Sequence, residues 1–519
     1  MEQAAEPAQI SRAKFWGLGL LSLILLVLAF PNFDLWFLAW IGLAPLLLAL
    51  ARQPKPLQAF LVGWFVGAIF FYATCYWLTY SMIHYGGLSA WVAYPLLFPG
   101  AAVLGLFPAT FALLQRRLIR VLGPTSLFAA PFIWVTFEWL RLSITGQLWN
   151  AIGYSQAFHP GVIQPARWGG VYAVSFILVA INGVIAFALL KRTAKALILA
   201  SAIIAGVALI LVNMKFLVDF DEPHLGSDGS GTLVVALQPN VPMDFDKTDE
   251  QLAALLNFHI NESEKALAPF VNSTKPRLVI WPESPMNFTY GSDPLLQERL
   301  ARFTRDNHTS LLFNSQESSP QGGIYNSALL INEEGRLVAQ YDKIRLMPFG
   351  EYVPLPGWLP GANRVSAIVG GFEAGSRYTL MIGSGARMGT FICIESAYPW
   401  VARNLSTSGA EVLVNISNDG YLGRTAVMRQ HLANAIFRAA ENGRPLLRVT
   451  NTGLTAKIDS RGRIEDITNG FQSDVRVWET HSVARPRTFY TKYGDVFIAF
   501  CGLMSAIVIA LSFKGVSER

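Results

Sequence analysis

Three side chains with complementary chemistry follow short apolar segments of the sequence. Glu283 follows Leu278-Val-Ile-Trp-Pro, Lys343 ends Tyr-Asp-Lys, and Cys393 ends Phe-Ile-Cys. A thiol is mostly protonated at neutral pH, so a nucleophilic cysteine needs a base and a nearby cation that favours the thiolate. Glu283 can supply the base, and Lys343 can supply a cation that also stabilises an oxyanion on a carbonyl substrate. The three residues therefore predict acyl transfer through Cys393.

Each of the three also has a purely structural interpretation. A buried cysteine is often only a small apolar residue, and a glutamate and a lysine at strand ends are often solvated or paired with each other. Spacing alone leaves both interpretations open. Cys75 and Cys501 lie in apolar runs, so Cys393 has no disulfide partner in the polar part of the chain.

The segment that carries these residues has the pattern of an α/β domain. Short apolar or β-branched runs alternate with helical stretches such as 250–267 and 425–442. A segment of roughly 270 residues is large enough for a core of its own. The predicted strands are 233–237, 278–281, 310–313, 328–331, 390–393 and 412–415.

The rest of the chain is strongly apolar. Of its 519 residues, 52% are hydrophobic and 15% are charged, with a mean hydropathy of +0.37, whereas soluble domains are about 25% charged. This composition excludes a disordered or purely cytosolic protein. Because about 20 apolar residues cross a bilayer, we predict a polytopic domain with about eight transmembrane helices. They lie near residues 15–30, 35–51, 57–80, 88–114, 126–142, 169–190, 194–216 and 496–513.

Positive charges between the apolar segments predict the orientation. Lysines and arginines cluster in alternate loops and near both ends, which the positive-inside rule places in the cytoplasm. We therefore expect a domain of seven helices over 1–216, an extracytoplasmic catalytic domain over 217–490, and a last helix with a cytoplasmic tail over 491–519. The net charge of +6 reflects this orientation and does not indicate nucleic acid binding. The basic residues are Arg12, Lys14, Arg52, Lys55, Arg116, Arg117, Arg120, Lys191, Arg192, Lys195, Lys514 and Arg519.

One of the membrane segments carries two charged residues. Glu138 and Arg141 lie one turn apart near the end of the fifth apolar segment, where charges without compensation are costly. The spacing fits either a structural pair or a contact with a lipid headgroup.

The residues around the three reactive positions resemble the carbon–nitrogen hydrolase (nitrilase) superfamily. A nitrilase-like domain placed between a seventh and an eighth transmembrane helix is similar to the membrane-embedded acyltransferase branch of that superfamily. The resemblance implies an αββα sandwich in which Glu283 is the general base, Lys343 stabilises the oxyanion and Cys393 is the nucleophile. The motifs, in the superfamily's order, are Trp281-Pro-Glu-Ser-Pro, Tyr341-Asp-Lys, Pro348-Phe-Gly-Glu-Tyr, Cys393-Ile-Glu, Asn415-Ile-Ser-Asn-Asp, Gln430-His and Asn451-Thr-Gly.

The resemblance also implies supporting residues. Glu351 matches an acidic residue that helps to hold the lysine, and Glu395 matches an acidic position beside the nucleophile. Both also fit a role as hydrogen-bonding residues that support the site without touching substrate. The candidate substrate-binding residues are Asn240, Tyr352, Asn418 and, in the membrane domain, Trp149.

Three positions depart from the pattern of the acyltransferase branch. Ile394 stands where a tyrosine often follows the nucleophile, Asp246-Lys247 replaces a Lys-Trp pair, and Gly420-Tyr421 replaces a small residue followed by tryptophan. The apolar loop 355–359 and the segment 365–372 are candidates for a lid or a membrane-touching arm, with an ordinary surface loop as the alternative.

The activity implied by the resemblance is ping-pong acyl transfer at the periplasmic face of a bacterial inner membrane. Phosphatidylethanolamine would acylate Cys393, and the thioester would acylate the free α-amine of the S-diacylglyceryl cysteine of an apolipoprotein. No metal, nucleotide or other cofactor is required. Two alternatives remain: a membrane-tethered amidase that uses the same triad with water, and a transporter with an appended binding domain.

Overall fold

The computed structural model describes residues 10–52, 55–146, 148–220, 231–243, 247–283, 288–348, 350–352, 371–481 and 486–517. The chain forms two compact units. The helical unit consists of Met1–Phe220, Thr425–Ala433 and Tyr493–Arg519, and the α/β unit consists of Asp221–Arg424 and Asn434–Lys492. Asp246, the loop 355–359 and most of the segment 365–372 lie outside the described residues.

All eight predicted apolar segments contain helix. Among the described residues, six helices are long and apolar enough to cross a membrane. The other two predicted segments are shorter as helices: Arg12–Leu28 has 17 residues, and segment 35–51 is divided into the 3-10 helix Trp36–Trp40 and the helix Ala44–Ala51. Counted by helix length, the number of spans is therefore smaller than the predicted number of about eight. The helices are Arg12–Leu28, Ala44–Ala51, Pro56–Thr74, Leu78–His84, Ala90–Leu122, Ala130–Thr145, Pro160–Ile163, Ala166–Lys191, Ala194–Phe220 and Val496–Ser517.

Small residues let two of these helices approach closely. Helices Pro56–Thr74 and Ala90–Leu122 form an extensive contact. A Cβ atom added to Gly63 would lie 2.6 Å from the Cβ of Ala112 and 2.7 Å from the carbonyl oxygen of Pro108. Because helices in a bilayer associate through close packing and not through the hydrophobic effect, such glycines determine the contact.

The α/β unit contains two sheets within its described residues. The first has the order β13-β1-β2-β3-β4-β5, with β6 paired to β4, and the second has the order β12-β11-β10-β9-β8-β7. The strands are β1 Thr232–Gln238, β2 Arg277–Ile280, β3 Ser310–Ser318, β4 Ile324–Ile331, β5 Leu337–Asp342, β6 Phe372–Glu373, β7 Met381–Gly383, β8 Ala386–Ile392, β9 Val412–Ser417, β10 Leu446–Thr450, β11 Ala456–Ile458, β12 Ile464–Ile467 and β13 Asp474–Thr480.

The two sheets pack face to face between layers of helix. Strand β1 contacts β10, β4 contacts β8, and β5 contacts β7. Strands β1, β2 and β3 run parallel to one another in the first sheet, and β8, β9 and β10 run parallel to one another in the second, whereas β1 pairs with β13, and β3 with β4, in antiparallel fashion. This is the predicted αββα sandwich. The helices of the unit are Asp249–Leu267, Pro294–Asp306, Pro399–Thr407, Phe489–Tyr493 and the part of Val427–Asn442 that begins at Asn434.

The end of β2 is fixed by a buried tryptophan. Trp281 belongs to a core cluster that joins residues of β1, β2 and β3 to Leu300 and Phe303 of helix Pro294–Asp306. Its indole N–H donates a hydrogen bond of 3.1 Å to the hydroxyl of Ser263. Since a buried tryptophan needs a partner for its N–H group, this bond sets the direction in which the chain leaves the strand toward Glu283.

The close helix contact predicts a stability effect. Gly63→Val should lower the melting temperature of the detergent-solubilised protein, because the new side chain meets backbone atoms that cannot move aside; overpacking of this kind costs about 1–3 kcal/mol. The control is Gly206→Val in helix Ala194–Phe220, where a Cβ has nothing within 4 Å. Equal shifts for the two variants, measured by intrinsic fluorescence during heating, would contradict the packing argument.

Candidate active site

The predicted base, cation and nucleophile all follow strand ends. Glu283 lies three residues after β2, Lys343 follows β5 directly, and Cys393 follows β8 directly. The lysine ammonium lies 3.4 Å from the Glu283 carboxylate, and the thiol interacts electrostatically with both groups. The structure therefore brings together three side chains that are 110 positions apart at the extremes, 393 − 283 in sequence number.

Lys343 is a buried cation held by two carboxylates. Its side chain is 1% exposed, and Nζ lies 2.9 Å from the Glu351 carboxylate and 3.4 Å from Oε1 of Glu283. Burial alone would lower the pKa of Lys343, but the charges of Glu283 and Glu351 outweigh burial and hold this pKa well above its usual value. The ammonium is therefore a permanent positive charge in the site.

Cys393 has an unusual backbone conformation. Its φ is +53°, in the left-handed region that costs energy for a residue with a side chain. The Asn415 side-chain amide donates 3.4 Å to the Cys393 carbonyl. Burial raises the pKa of the Cys393 thiol, and the negative charge of Glu283 raises it further, against the opposing effect of Lys343. The resting group is therefore a thiol, which needs a base to become a nucleophile.

Glu395 is a buried acceptor that ties two chain segments together. One carboxylate oxygen accepts hydrogen bonds from the backbone N–H groups of Ile344 (2.8 Å) and Arg345 (3.0 Å), in the loop after β5. The other accepts from the N–H of Ile392 at 2.8 Å, and the Tyr341 hydroxyl donates to both oxygens. These contacts place Glu395 in a supporting position, where it fixes the loop of the lysine against the strand end of the nucleophile.

Asn326 is a site residue that the sequence interpretation missed. Its amide Nδ2 donates to Oε1 of Glu283 at 3.0 Å and to Oε1 of Glu351 at 2.7 Å. Its own oxygen accepts from the Asn314 amide at 2.7 Å, and its carbonyl accepts from the backbone N–H of Lys343 at 2.8 Å. The polar Asn-Ser pair at the start of an otherwise apolar strand, next to the reactive lysine in the sheet, was the available signal.

A buried ion pair supports the nucleophile from the second sheet. Arg448 lies 3.0 Å from the Asp419 carboxylate, with both side chains at most 1% exposed, and Arg448 also donates to the Asn415 side chain. Asn415 in turn donates to the Cys393 carbonyl. The ion pair is therefore linked to the Cys393 backbone through the Asn415 side chain.

Tyr421 is a second residue that the sequence interpretation did not assign to the site. Burial raises the pKa of its hydroxyl, and the negative charges of Glu283 and Glu351 raise it further. Lys343 lowers this pKa and Cys393 raises it. Ile394 is 6% exposed and contributes an apolar side chain. The Tyr421 hydroxyl therefore lies within the electrostatic influence of Glu283 and Glu351.

The candidate substrate-binding residues occupy different places. In the α/β unit, the Asn418 backbone N–H donates to Oε2 of Glu283 at 3.1 Å, and the Asn418 side-chain oxygen accepts from Asn451 at 3.2 Å. Asn240 has a φ of +54°, and its N–H donates to the Asn451 carbonyl at 3.0 Å. Tyr352 is 40% exposed. A role in substrate binding stays a prediction for all three.

Trp149 lies in the helical unit. It is 5% exposed, and its indole N–H donates 2.7 Å to Oε1 of Gln430. The same oxygen accepts from Trp77 at 3.0 Å, while the Gln430 amide donates to the carbonyls of Thr74 and Pro31. The polar group of Trp149 is therefore engaged within this unit, and its substrate role also stays a prediction.

Comparison with known families covers both units. Residues 22–184 match the apolipoprotein N-acyltransferase N-terminal domain, and residues 237–475 match the carbon–nitrogen hydrolase family. An apolipoprotein N-acyltransferase of Geobacter metallireducens is 33% identical over 504 residues, which is 96% of this chain and 95% of that protein. One of Allorhizobium ampelinum is 32% identical and covers 78% of this chain and 77% of that protein.

Solved structures are similar to about half of the chain. Nit3 of Saccharomyces cerevisiae, a nitrilase superfamily member, is 17% identical and covers 51% of this chain and 94% of its own, with a TM-score of 0.39. An amidase of Nesterenkonia, also from this superfamily, is 16% identical and covers 53% of this chain and 98% of its own, with a TM-score of 0.38.

The position of Asn326 predicts a large effect on acyl transfer. Asn326→Ala removes two hydrogen bonds to carboxylates, and bonds to charged groups contribute about 1.5–3 kcal/mol each, so the first-order rate of enzyme acylation should fall at least about tenfold. Asn326→Asp keeps the size of the side chain but adds a third carboxylate, so the rate of acylation should fall further in this variant. The control is Asn332→Ala, beyond the opposite end of β4; a similar loss there, in single-turnover acylation, would contradict this role.

The environment of Glu395 predicts a pH dependence of stability. Burial raises its pKa from 4.5 to about 7. Between these values the native state keeps a proton that the unfolded chain has released, so this group makes the protein less stable as the pH rises. The melting temperature of the native protein minus that of Glu395→Gln should therefore decrease from pH 5 to pH 7.

Two observations would bear on this interpretation of Glu395. The trend should persist at raised salt concentration, because a buried group is screened little by ions in solution. A difference in melting temperature that stays constant across the same pH range would contradict the raised pKa.

Proposed function

Since the chain belongs to the apolipoprotein N-acyltransferase family, we propose that it transfers a fatty acyl chain from a phospholipid to the free α-amine of the S-diacylglyceryl cysteine of bacterial apolipoproteins. The observation that carries this proposal is the buried ammonium of Lys343, fixed between two carboxylates in the electrostatic field of the Cys393 thiol. This arrangement does not support the alternative of a transporter with an appended binding domain.

The first half of the proposed reaction makes an acyl-enzyme. Glu283 takes the thiol proton as Sγ of Cys393 attacks the ester carbonyl, and the Lys343 ammonium stabilises the tetrahedral oxyanion. Collapse of the intermediate breaks the ester C–O bond, and Glu283 returns the proton to the leaving oxygen. A lysophospholipid departs, and Cys393 carries the acyl chain as a thioester.

The second half uses the same groups. The free α-amine of the lipoprotein cysteine attacks the thioester carbonyl, Lys343 again stabilises the oxyanion, and Glu283 takes a proton from the amine. The C–S bond breaks, the amide forms, and Glu283 returns the proton to the sulfur, so the thiol is regenerated. Atoms, charges and protons balance without a further reactant.

The charges of the site explain why one base suffices. In the resting site two carboxylates face one ammonium, and their excess negative charge opposes ionisation of the thiol. When Glu283 accepts the proton, one of these negative charges disappears. Lys343 is then free to stabilise the negative charge that develops on the substrate, so proton transfer and oxyanion formation assist each other.

The membrane setting supports a lipid donor. The chain is a membrane protein with apolar helices, and we propose phosphatidylethanolamine as its donor. The basic residues in alternate loops support an inner-membrane location with both termini in the cytoplasm and the α/β unit in the periplasm.

Intact-protein mass spectrometry tests the mechanism. After incubation with phosphatidylethanolamine, the full chain should gain the mass of one acyl chain, which hydroxylamine should remove because thioesters are labile to it. Cys393→Ala should gain nothing, because the nucleophile is absent. The matched controls are Cys75→Ala and Cys501→Ala, which remove the other two cysteines and should gain the same mass as the native chain.

Addition of a diacylated lipopeptide separates the remaining alternatives. Loss of the adduct only after this addition, with N-acylated lipopeptide as product, would support the transferase. Loss in water alone would support a membrane-tethered hydrolase with the same triad. An adduct on Cys393→Ala, or the absence of any adduct on the native chain, would contradict the assignment of the nucleophile.

A further inference from the structure

One motif of the sequence takes no part in the proposed proton transfers. Asn451 begins the segment Asn451-Thr-Gly and follows strand β10 directly. It is 0% exposed, so its side chain is out of reach of a substrate. A buried amide costs free energy unless its donors and its acceptor are bonded. The partners of Asn451 therefore indicate what it does.

The Asn451 side chain holds the loop that follows β1. Its oxygen accepts a hydrogen bond of 2.8 Å from the backbone N–H of Val241, and its Nδ2 donates 2.8 Å to the carbonyl of the same residue. The Asn240 N–H donates to the Asn451 carbonyl at 3.0 Å. Because the amide oxygen meets a donor and the amide nitrogen meets an acceptor, only one orientation of the amide satisfies both.

The same amide reaches Asn418, which follows strand β9 directly. Strands β9 and β10 run parallel with Ser417 opposite Thr450, so the two asparagines leave neighbouring strand ends. Nδ2 of Asn451 donates to the Asn418 side-chain oxygen at 3.2 Å. That oxygen also accepts from the Gly420 N–H at 3.1 Å. Asn418 is therefore held between its own turn and Asn451.

Asn418 contacts the proposed base through its backbone. Its N–H donates to Oε2 of Glu283 at 3.1 Å, while Oε1 lies beside the Lys343 ammonium and the Asn326 amide. Among the residues that the structure describes, the Asn418 N–H is the one donor bonded to Oε2. Since a carboxylate oxygen accepts about two hydrogen bonds, Oε2 keeps a lone pair that can take a proton.

We propose that Asn451 is a positioning residue for the general base, an inference that rests on the proposed acyl transfer. Asn451 fixes Asn418, the Asn418 N–H fixes Oε2 of Glu283, and the remaining lone pair of Oε2 takes the proton of the Cys393 thiol. Proton transfer requires hydrogen-bond distance and the correct orientation. A displacement of about 1 Å costs roughly 100-fold in rate, so a buried amide can control the reaction without touching substrate.

A purely structural role of Asn451 predicts a different result. If Asn451 only fastens the loop after β1, its loss lowers the melting temperature but does not change how fast the folded protein is acylated. The maximal rate of acylation, measured below the melting transition, therefore separates the two roles.

A burst assay with an activated ester tests the positioning role. The full chain, in detergent, is mixed with p-nitrophenyl hexanoate. Attack by the Cys393 thiol forms the thioester and releases one equivalent of p-nitrophenolate, while Glu283 takes the thiol proton. Cys393→Ala gives the background. Because this burst needs the nucleophile and its base but no phospholipid, it tests Asn451 separately from the proposed donor.

Asn451→Ala should slow the burst at saturating ester at least about tenfold, because the base is no longer held in place. The half-saturating ester concentration should stay within about twofold of the native value, since a residue that does not touch the ester contributes nothing to its binding. The amplitude should remain near one equivalent. Asn451→Ser, whose side chain is too short to bridge Val241 and Asn418, replaces this variant if it does not fold.

The matched control is a second buried asparagine of the α/β unit. Asn442 is 0% exposed, its amide donates to the Arg438 carbonyl and its oxygen accepts from the Thr491 hydroxyl, both at 2.9 Å. Asn442→Ala should lower the melting temperature and leave the burst rate unchanged. Equal slowing in Asn442→Ala and Asn451→Ala would overturn the proposal.

A double variant tests the route through Asn418. Asn418→Ala removes the oxygen that accepts from Asn451 but keeps the backbone N–H. If Asn451 acts through Asn418, the double variant should be about as slow as the slower single variant, whereas independent effects would multiply. Multiplied effects overturn the route and with it the proposal.

The remaining outcomes separate this proposal from the proposed function. An unchanged burst rate in Asn451→Ala and Asn451→Ser overturns the role of Asn451 and leaves the proposed function standing. A slowed burst in these variants supports that role even if phosphatidylethanolamine forms no adduct, in which case the proposed donor alone is contradicted. No burst from the native chain contradicts the nucleophile and the role of Asn451 together.

Discussion

The active site depends on one buried cation. Removing the Lys343 ammonium from water is expensive, and the structure compensates with two carboxylates at 2.9 and 3.4 Å. Those carboxylates must themselves be satisfied, and this requirement explains the neighbouring groups: the Asn326 amide bonds to both, the Asn418 backbone to one and the Met347 backbone to the other. A lysine that is always charged thus requires a complete shell of donors, and this shell occupies the ends of strands in both sheets.

The αββα architecture supplies these groups because each sheet ends its strands near the site. Glu283 and Lys343 follow strands of the first sheet, and Cys393 and Asn418 follow strands of the second. Glu395 links the two sets, since it accepts N–H groups from the loop after β5 and from the last residue of β8. A carboxylate that is fully buried for this purpose is destabilised, which is why its pKa rises to about 7. The burial of Glu395 thus destabilises the protein at the one place where a small shift between the sheets would separate Cys393 from Lys343.

The sequence predicts strand ends better than it predicts strand interiors. The apolar runs before Glu283 and Cys393 indicate buried strands, because a polar residue directly after such a run is a local signal, whereas the sandwich and the roles of the three residues are implied by the family resemblance. Asn326 lies within the paired part of β4, where the polar Asn-Ser pair is a weak local signal that does not show which distant carboxylates it contacts. The sequence also predicts a helix over residues 425–433, but it does not predict that these residues belong to the helical unit. Hydropathy located every apolar segment, yet the break between Trp36–Trp40 and Ala44–Ala51 depends on packing.

The raised pKa of the Cys393 thiol fits the proposed reaction through a thioester. A permanent thiolate would react with any electrophile that reached it, whereas a thiol whose pKa is raised by burial and by Glu283 reacts only when the base removes its proton. In the proposed mechanism, that removal is favourable only when a carbonyl substrate is present to accept the resulting charge beside Lys343. The left-handed backbone at Cys393 adds to this control, because a strained position is held in place by its surroundings, here the Asn415 amide and the Arg448–Asp419 pair. In the proposed mechanism, geometry and charge therefore restrict the same event, the formation of the nucleophile, to the moment when an ester is bound.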